Sequence, residues 1–102
     1  MDYKVCFEQL DWNEAAPGCR DKIAVFGESR LRLVEFTDQF VEDGWCVRGH
    51  LGGVLAGRAT LHFPDSSLSC QQGDGLFLPE GKPHKVTVAA GERVLFLFVE
   101  KA

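Results

Sequence analysis

The chain has 102 residues, of which 45% are hydrophobic and 25% charged, a composition typical of one globular domain and not of a disordered segment. Its 15 acidic and 11 basic residues give a net charge of −4, and no cluster of lysine and arginine offers the basic patch that a nucleic-acid or anionic-membrane partner requires. Charged residues interrupt positions 1–20, and the longest strongly apolar run, 94–99, is too short to cross a bilayer. We therefore expect a cytoplasmic protein that binds neither nucleic acid nor membrane.

Apolar residues recur along the chain with a period of two, and glycine, proline and aspartate interrupt them at short intervals, which predicts β-strands and no helix of ordinary length. Residues 3–9 are predicted to be extended and residues 11–21 to form a loop. The predicted strands that follow are 22–26, 31–36, 44–47, 50–56, 59–63, 68–70, 76–78, 84–88 and 94–100. Arg48-Gly49 and Gly57-Arg58 are among the turns that separate them. The pattern predicts an all-β sandwich or closed barrel that forms a single domain over residues 1–102.

The segment that ends at His84 is the most specific in the chain. It contains Gly73, five further residues, and then Pro79, Gly81 and His84 in the spacing Pro-x-Gly-x-x-His. Gly73 tolerates a positive φ in a tight turn, and Pro79 with Gly81 produces a sharp bend, so the next strand is expected to open at the mouth of the barrel. This pattern resembles the second conserved motif of the cupin superfamily. Val88 departs from it, since cupins often carry asparagine at that position.

A segment upstream resembles a variant of the first cupin motif. That motif has two histidines separated by one residue, then a glutamate, and then a closing glycine that Gly57 matches. His50 stands where the family has glutamate, Cys46 stands at the second histidine, and Gly44 stands at the first. Both motifs lie within residues 44–88, and the chain is similar to small single-domain bacterial cupins of unassigned function.

The resemblance implies a small antiparallel double-stranded β-helix, the jelly-roll barrel of cupins. In that fold residues 3–36 would complete the barrel or contribute to a dimer interface. Residues 94–99 are apolar on both strand faces, which favours a second layer over the outer face. A second copy of the chain would supply that layer, and the resemblance also favours a homodimer.

Cys46, His50 and His84 are the candidate metal ligands. On one straight strand Cys46 and His50 would stand about 13 Å apart, too far to share an ion, but a turn at Arg48-Gly49 would place them on different strands. The resemblance implies that His84 joins them from a third strand. A thiolate and two imidazoles suit Zn²⁺ and leave iron, copper and nickel as alternatives. No nucleotide cofactor is expected, and a metal-free pocket remains the alternative.

Arg48, Glu35 and His62 complete the set of candidate residues. Arg48 is solvated if it lies in a turn, but it faces the pocket, where it could clamp a carboxylate, if the strand continues. Glu35 alternates with Leu31 and Leu33, so we place it inside the pocket as a candidate general base. His62 falls on the polar, outward face of its strand.

The cupin resemblance implies a domain that binds a small molecule, with or without a divalent metal, in a role it does not specify. One alternative is a metal-dependent enzyme of the dioxygenase, isomerase or decarboxylase type. Another is a metal-free structural or sensor module.

Overall fold

The strands of the computed structural model, which describes residues 3–102, pair in antiparallel fashion throughout. Within these residues one 3₁₀ turn, Phe7–Gln9, precedes eight strands. The strands are β1 Asn13–Ala16, β2 Cys19–Phe26, β3 Ser29–Thr37, β4 His50–Phe63, β5 Ser66–Gln71, β6 Gly75–Leu78, β7 Lys85–Thr87 and β8 Arg93–Lys101. The all-β prediction is confirmed.

Strand β4 belongs to two sheets. Its first half pairs with β6 on one side and β8 on the other, and its second half pairs with β5 and β7. The larger sheet therefore has the order β1-β2-β3-β8-β4-β6, and the smaller sheet has the order β5-β4-β7. A strand that passes from one layer to the other at a bend closes the corner of a sandwich.

The bend in β4 lies at Leu55 and Gly57. Val54 pairs with Phe96 and Ala56 pairs with Leu95, so Leu55 is an extra residue in a β-bulge. Gly57 has a φ of +76°, and a Cβ atom there would lie 1.9 Å from the carbonyl oxygen of Arg93. The predicted strand break at Gly57-Arg58 is therefore wrong, because the glycine permits the bulge and the close strand approach that keep β4 continuous.

Three further predictions differ from the structure. Residues 3–9 contain the 3₁₀ turn, since the chain there runs over the protein surface without a strand partner among residues 3–102. The predicted loop at 11–21 contains the β1–β2 hairpin, which turns at Gly18. The predicted strand at 44–47 is reduced to a single bridge between Cys46 and His84.

The apolar core fills the space between the two sheets. Alternate residues of β8 point inward, and Phe96 and Val94 are fully buried together with Val34 of β3. The opposite face of β8 carries Leu95, Leu97 and Val99, which are half-buried or exposed. No helix within residues 3–102 combines the length and the apolar character that a membrane crossing demands.

Candidate metal centre

A cavity of about 300 Å³ opens between the two sheets, and its two ends differ in character. Along the inner face of β3, Arg30 and Arg32 precede Val34 and Phe36, so one end is charged and the other apolar. Most of the remaining wall is apolar and includes Phe40, Leu61, Leu78, Val86, Phe96 and Phe98. The polar residues that line it are Glu42, Cys46, Arg48, His50 and His84.

Backbone pairing places Cys46 beside His84. The Cys46 amide donates to the His84 carbonyl and the His84 amide donates to the Cys46 carbonyl, each at 2.9 Å. Residues 47–49 then connect without regular structure to His50, which begins β4 and pairs with Leu78. Cys46 and His50 thus reach the cavity from different segments, and the short connection between them makes their approach possible.

The three candidate ligands converge. One potential ligand atom from each of Cys46, His50 and His84 lies within 4.8 Å of the other two. Both histidines are buried, and their ring centroids are 5.1 Å apart. This is the one cluster of three such side chains that the described residues 3–102 bring together. Small side-chain rotations would bring a shared ion within bonding distance of all three.

Both imidazole rings are oriented by hydrogen bonds at Nδ1. His50 Nδ1 contacts the carboxylate of Glu100, and His84 Nδ1 lies 2.9 Å from the carbonyl oxygen of Lys82. Because each acceptor requires a proton on Nδ1, the lone pair of each ring is on Nε2, the nitrogen available to a metal. Donation of a hydrogen bond from Nδ1 to a carboxylate or carbonyl oxygen commonly fixes the tautomer of metal-binding histidines.

Glu100 connects His50 to two arginines. Its side chain is fully buried, with Arg30 at 2.8 Å and Arg32 at 3.9 Å. Burial by itself would raise the pKa of Glu100, but the hydrogen bond and charge of His50, together with Arg30 and Arg32, lower that pKa to about 2. Glu100 is therefore ionised at neutral pH and serves as the acceptor that orients His50.

Arg48 lines the cavity although it lies outside any strand. Its Nη1 donates to the carbonyl oxygen of Lys101 at 2.9 Å, which holds this exposed side chain at the rim. His62 is 2.7 Å from the Thr87 hydroxyl on the outer surface, away from the cavity.

The placement of Glu35 in the pocket is wrong. It does share a face of β3 with Leu31 and Leu33, but that face points away from the cavity. Its buried carboxylate instead pairs with Arg20, at 2.8 Å, and with Arg93. The inner face of β3 is the one that carries Arg30 and Arg32, because buried acidic residues on neighbouring strands pair with both arginines.

Sequence reasoning missed four charged residues at the site. Arg30, Arg32 and Glu42 line the cavity, and Glu100 lies behind His50. The available signal was the alternation of Arg30 and Arg32 with apolar residues, which marks one strand face as charged without indicating whether that face is buried. Glu42 lies in an irregular segment, where its Oε1 accepts a hydrogen bond from the Val86 amide at 2.9 Å, and no periodic pattern identifies it.

The donor set fits a metal ion that prefers sulfur and nitrogen ligands. A thiolate with two imidazoles matches zinc, and it is also compatible with iron, copper or nickel. These three residues would hold such an ion with fewer protein ligands than the four that are usual in structural zinc sites.

No protein-family model matches the sequence, and no curated protein matches it. Solved structures do match it. The polyketide cyclase RemF from Streptomyces resistomycificus is 20% identical over 99% of this chain and 80% of its own, with a TM-score of 0.83. An RmlC-like cupin from Shewanella frigidimarina is 15% identical over 98% of this chain and 92% of its own, at 0.73. The Cnp3 cupin domain from Schizosaccharomyces pombe is 8% identical over 98% and 74%, at 0.75. At such identities the likeness establishes a shared fold and leaves activity open.

Proposed function

Because the chain has the cupin fold that these structures share, we propose that it binds a divalent transition metal through Cys46, His50 and His84 and holds a small molecule beside that ion. The observation that carries the proposal is the convergence of the three side chains with both Nδ1 atoms already hydrogen-bonded. Zinc is the ion we expect first, because structural and catalytic zinc sites favour thiolate and imidazole ligands.

The protein residues have distinct parts in this proposal. Glu100 keeps His50 in the tautomer that offers Nε2, and the Lys82 carbonyl does the same for His84. The apolar wall excludes water from one end of the cavity and contacts the apolar part of a ligand. A bound ion would supply Lewis acidity, which polarises a ligand oxygen or acidifies a bound water. The volume of about 300 Å³ is at the lower end of the usual range for ligand pockets, so the ligand is small.

Metal analysis of protein purified without a histidine tag tests the proposal. We expect one equivalent of zinc, iron, copper or nickel per chain after loading and removal of excess ion. Cys46→Ser and His84→Ala should each weaken zinc binding at least about tenfold, because each removes one of three ligands. The matched controls are Cys6→Ser and His62→Ala, which change a cysteine and a histidine outside the cavity.

Alkylation provides a second readout. Iodoacetamide should label Cys46 in the metal-free protein, and saturating Zn²⁺ should protect it while leaving Cys6 reactive. Failure of all four ions to bind, or binding that both ligand variants leave unchanged, would contradict the proposal. An organic molecule bound in a metal-free cavity would then support the sensor alternative.

A catalytic role is the second candidate function. The observation that favours it is the number of protein ligands, because three ligands with an open position are typical of catalytic zinc, whereas structural sites usually have four. Incubation of the loaded protein with a panel of small carboxylic and keto acids separates the alternatives. Oxygen uptake would indicate a dioxygenase, release of CO₂ a decarboxylase, and deuterium exchange beside a carbonyl an isomerase. Exchange of that kind would also suit a cyclase, the activity for which RemF is named.

We also propose that a second copy of this chain covers the outer face of the larger sheet. One row of exposed apolar side chains crosses this face. It consists of Phe77 on β6 (72% exposed), Leu51 on β4 (51%) and Val99 on β8 (43%). An apolar patch of this kind is typical of interfaces, and in a two-fold dimer the uncharged patch meets itself and needs no complementary charge. Side chains of this size, each roughly half exposed, contribute accessible apolar area to the ~800 Å² that each partner of a stable interface buries.

Light scattering after size exclusion tests the dimer. We expect a particle of twice the 11.3 kDa chain mass, and Leu51→Glu or Phe77→Glu should convert it to a monomer. Leu68→Glu, on the smaller sheet, is the control for an added surface charge. A wild-type monomer at high concentration would contradict the proposal.

A further inference from the structure

The charges around the cavity indicate the chemical class of its ligand. Three arginines line the cavity, and two of them have carboxylate partners: Arg30 pairs with Glu100, and Arg32 pairs with Asp21 at 2.8 Å. Arg48 differs from both. Its one hydrogen bond goes to a neutral backbone carbonyl, and within residues 3–102 no carboxylate lies within ion-pair distance of it.

Arg48 is also held close to the candidate ligands. It lies two residues from Cys46 and two from His50, and its contact with Lys101 ties the guanidinium group to the end of β8. A guanidinium group has five N–H donors in a planar fork, and one of them is used. The remaining donors match the two oxygens of a carboxylate, the geometry in which arginine recognises anions best.

The balance of charge favours a ligand with a single negative charge. The three cavity arginines are matched in number by Asp21, Glu42 and Glu100. A divalent ion bound by the Cys46 thiolate and two neutral imidazoles would add one net positive charge. A monoanion neutralises that charge, whereas a neutral ligand leaves it uncompensated in a partly apolar cavity.

The apolar end of the cavity indicates the chemical character of the uncharged part of the ligand. The Phe36 ring contacts those of Phe40 and Phe96, with centroids 4.8 and 5.9 Å away, and Phe98 stacks on Phe96 at 4.9 Å. These side chains line the cavity beyond the histidines. They suit a flat or aliphatic body and provide nothing that would bind a second charged group.

We propose that the ligand is a small monocarboxylic acid with an apolar body, whose carboxylate is bound by Arg48 beside the metal centre. This inference rests on the proposed function for the position of the metal, but Arg48 can recognise the carboxylate without the ion. The apolar body then points toward the phenylalanine-lined end of the cavity.

Paired probes test the inference by calorimetry at constant ionic strength. Benzoate, phenylacetate and hexanoate are each compared with the corresponding neutral amide, on metal-free and on zinc-loaded protein. We expect at least one acid to bind about 10- to 100-fold more tightly than its amide, the range for loss of a charge-assisted hydrogen bond. In Arg48→Gln that preference should vanish, and Arg48→Lys should restore it in part, because lysine keeps the charge and loses the planar fork.

Arg58→Gln is the matched control, since Arg58 is an exposed arginine outside the cavity. Because Arg48 is exposed at the rim, we expect its variants to keep the wild-type urea midpoint, which excludes misfolding. If no acid binds better than its amide, or if Arg48→Gln leaves the preference intact, the inference is overturned. Equally tight binding of inorganic phosphate would also overturn it, since that would indicate a site for small oxyanions without an apolar body.

The two proposals fail in distinguishable ways. Zinc binding without a preference for the acids would leave the metal centre standing and remove the carboxylate site. A preference that depends on Arg48 in protein that binds no metal would do the reverse.

Discussion

The two faces of β3 differ in a way that simple alternation does not anticipate. The inner face begins with Arg30 and Arg32 before it becomes apolar, whereas the outer face carries Leu31 and Leu33. A charged inner face is stable in this protein because Asp21 and Glu100 are buried on the neighbouring strands and pair with the arginines. The part of the interior beside Val34 and Phe36 is therefore an apolar core, whereas the part beside Arg30 and Arg32 contains the candidate site.

The charged half is costly to bury. Replacement of buried ion pairs by apolar residues is often neutral or stabilising in other proteins, so such pairs are poor evidence of a purely structural role. In this protein the network ends on His50, whose ring orientation depends on Glu100. We therefore interpret the network as the support for the candidate metal centre.

The largest expected effect is at the apolar end. Phe96→Ala should lower the free energy of unfolding by about 3–5 kcal/mol, because the ring is fully buried and its loss leaves a cavity. Phe77→Ala, the same change at a 72% exposed site on the outer face, should cost about 0.5 kcal/mol or less. Urea denaturation at a concentration that keeps the chain monomeric measures both. Equal costs would contradict the assignment of the inner and outer faces.

At the charged end, Glu100→Gln should cost about 3 kcal/mol, since it leaves Arg30 and His50 without their buried partner. It should also weaken zinc binding, because His50 loses the acceptor that fixes its tautomer. Glu28→Gln, in the exposed turn between β2 and β3, is the control. A variant that unfolds at the wild-type urea concentration would mean that the pairs of Glu100 with Arg30 and His50 do not stabilise the fold.

A smaller effect is expected for Glu35, the buried carboxylate on the other side of the same strand. Glu35→Gln should cost about 1 kcal/mol, because its partners Arg20 and Arg93 are 45% and 60% exposed and water screens the pairs. Zinc and carboxylate binding should not change. Loss of either would show that Glu35 communicates with the cavity, in conflict with its position on the outer face.

The smallest effect concerns pH. Burial raises the pKa of the Cys70 thiol above its ordinary value of 9.0, and the hydrogen bond to Ala59 opposes this only in part. Cys70 therefore contributes stability that is fully present below pH 9 and is lost as the pH rises above it, where the unfolded chain ionises first. Between pH 8 and pH 10 the free energy of unfolding, measured by urea denaturation, should fall by up to about 1 kcal/mol more for the wild type than for Cys70→Ala. Parallel pH profiles would rule out this contribution.

Much of the fold could be predicted, because strand alternation and turn residues are local signals. The β2–β3 hairpin and strands β5 to β8 lie where alternation indicates, and Gly73 has the positive φ that its tight turn was expected to need. The sequence predicts a turn at Gly57, where the structure has a strand switch, since a glycine with positive φ suits a turn and a bulge equally well.

The candidate site was only partly predictable for a related reason. Cys46, His50 and His84 were identifiable from their spacing, which resembles a known motif. Glu100 was not, because its importance depends on a partner 50 positions away in the chain. The sequence does not choose between solvent and pocket for Arg48, whereas in the structure its contact with the Lys101 carbonyl holds it at the cavity rim.

Local signals in the sequence are sufficient to locate most strands and turns and to identify the sulfur and imidazole groups that could meet. Three features emerge only when the chain is folded: the buried face of β3, the histidine nitrogen that is available, and the arginine that lacks a carboxylate partner. The physical reason is that alternation and turn preference act between neighbours in the chain. The choice of inner face, by contrast, depends on counter-charges such as Asp21 and Glu100, and these become neighbours only when distant strands pair in register.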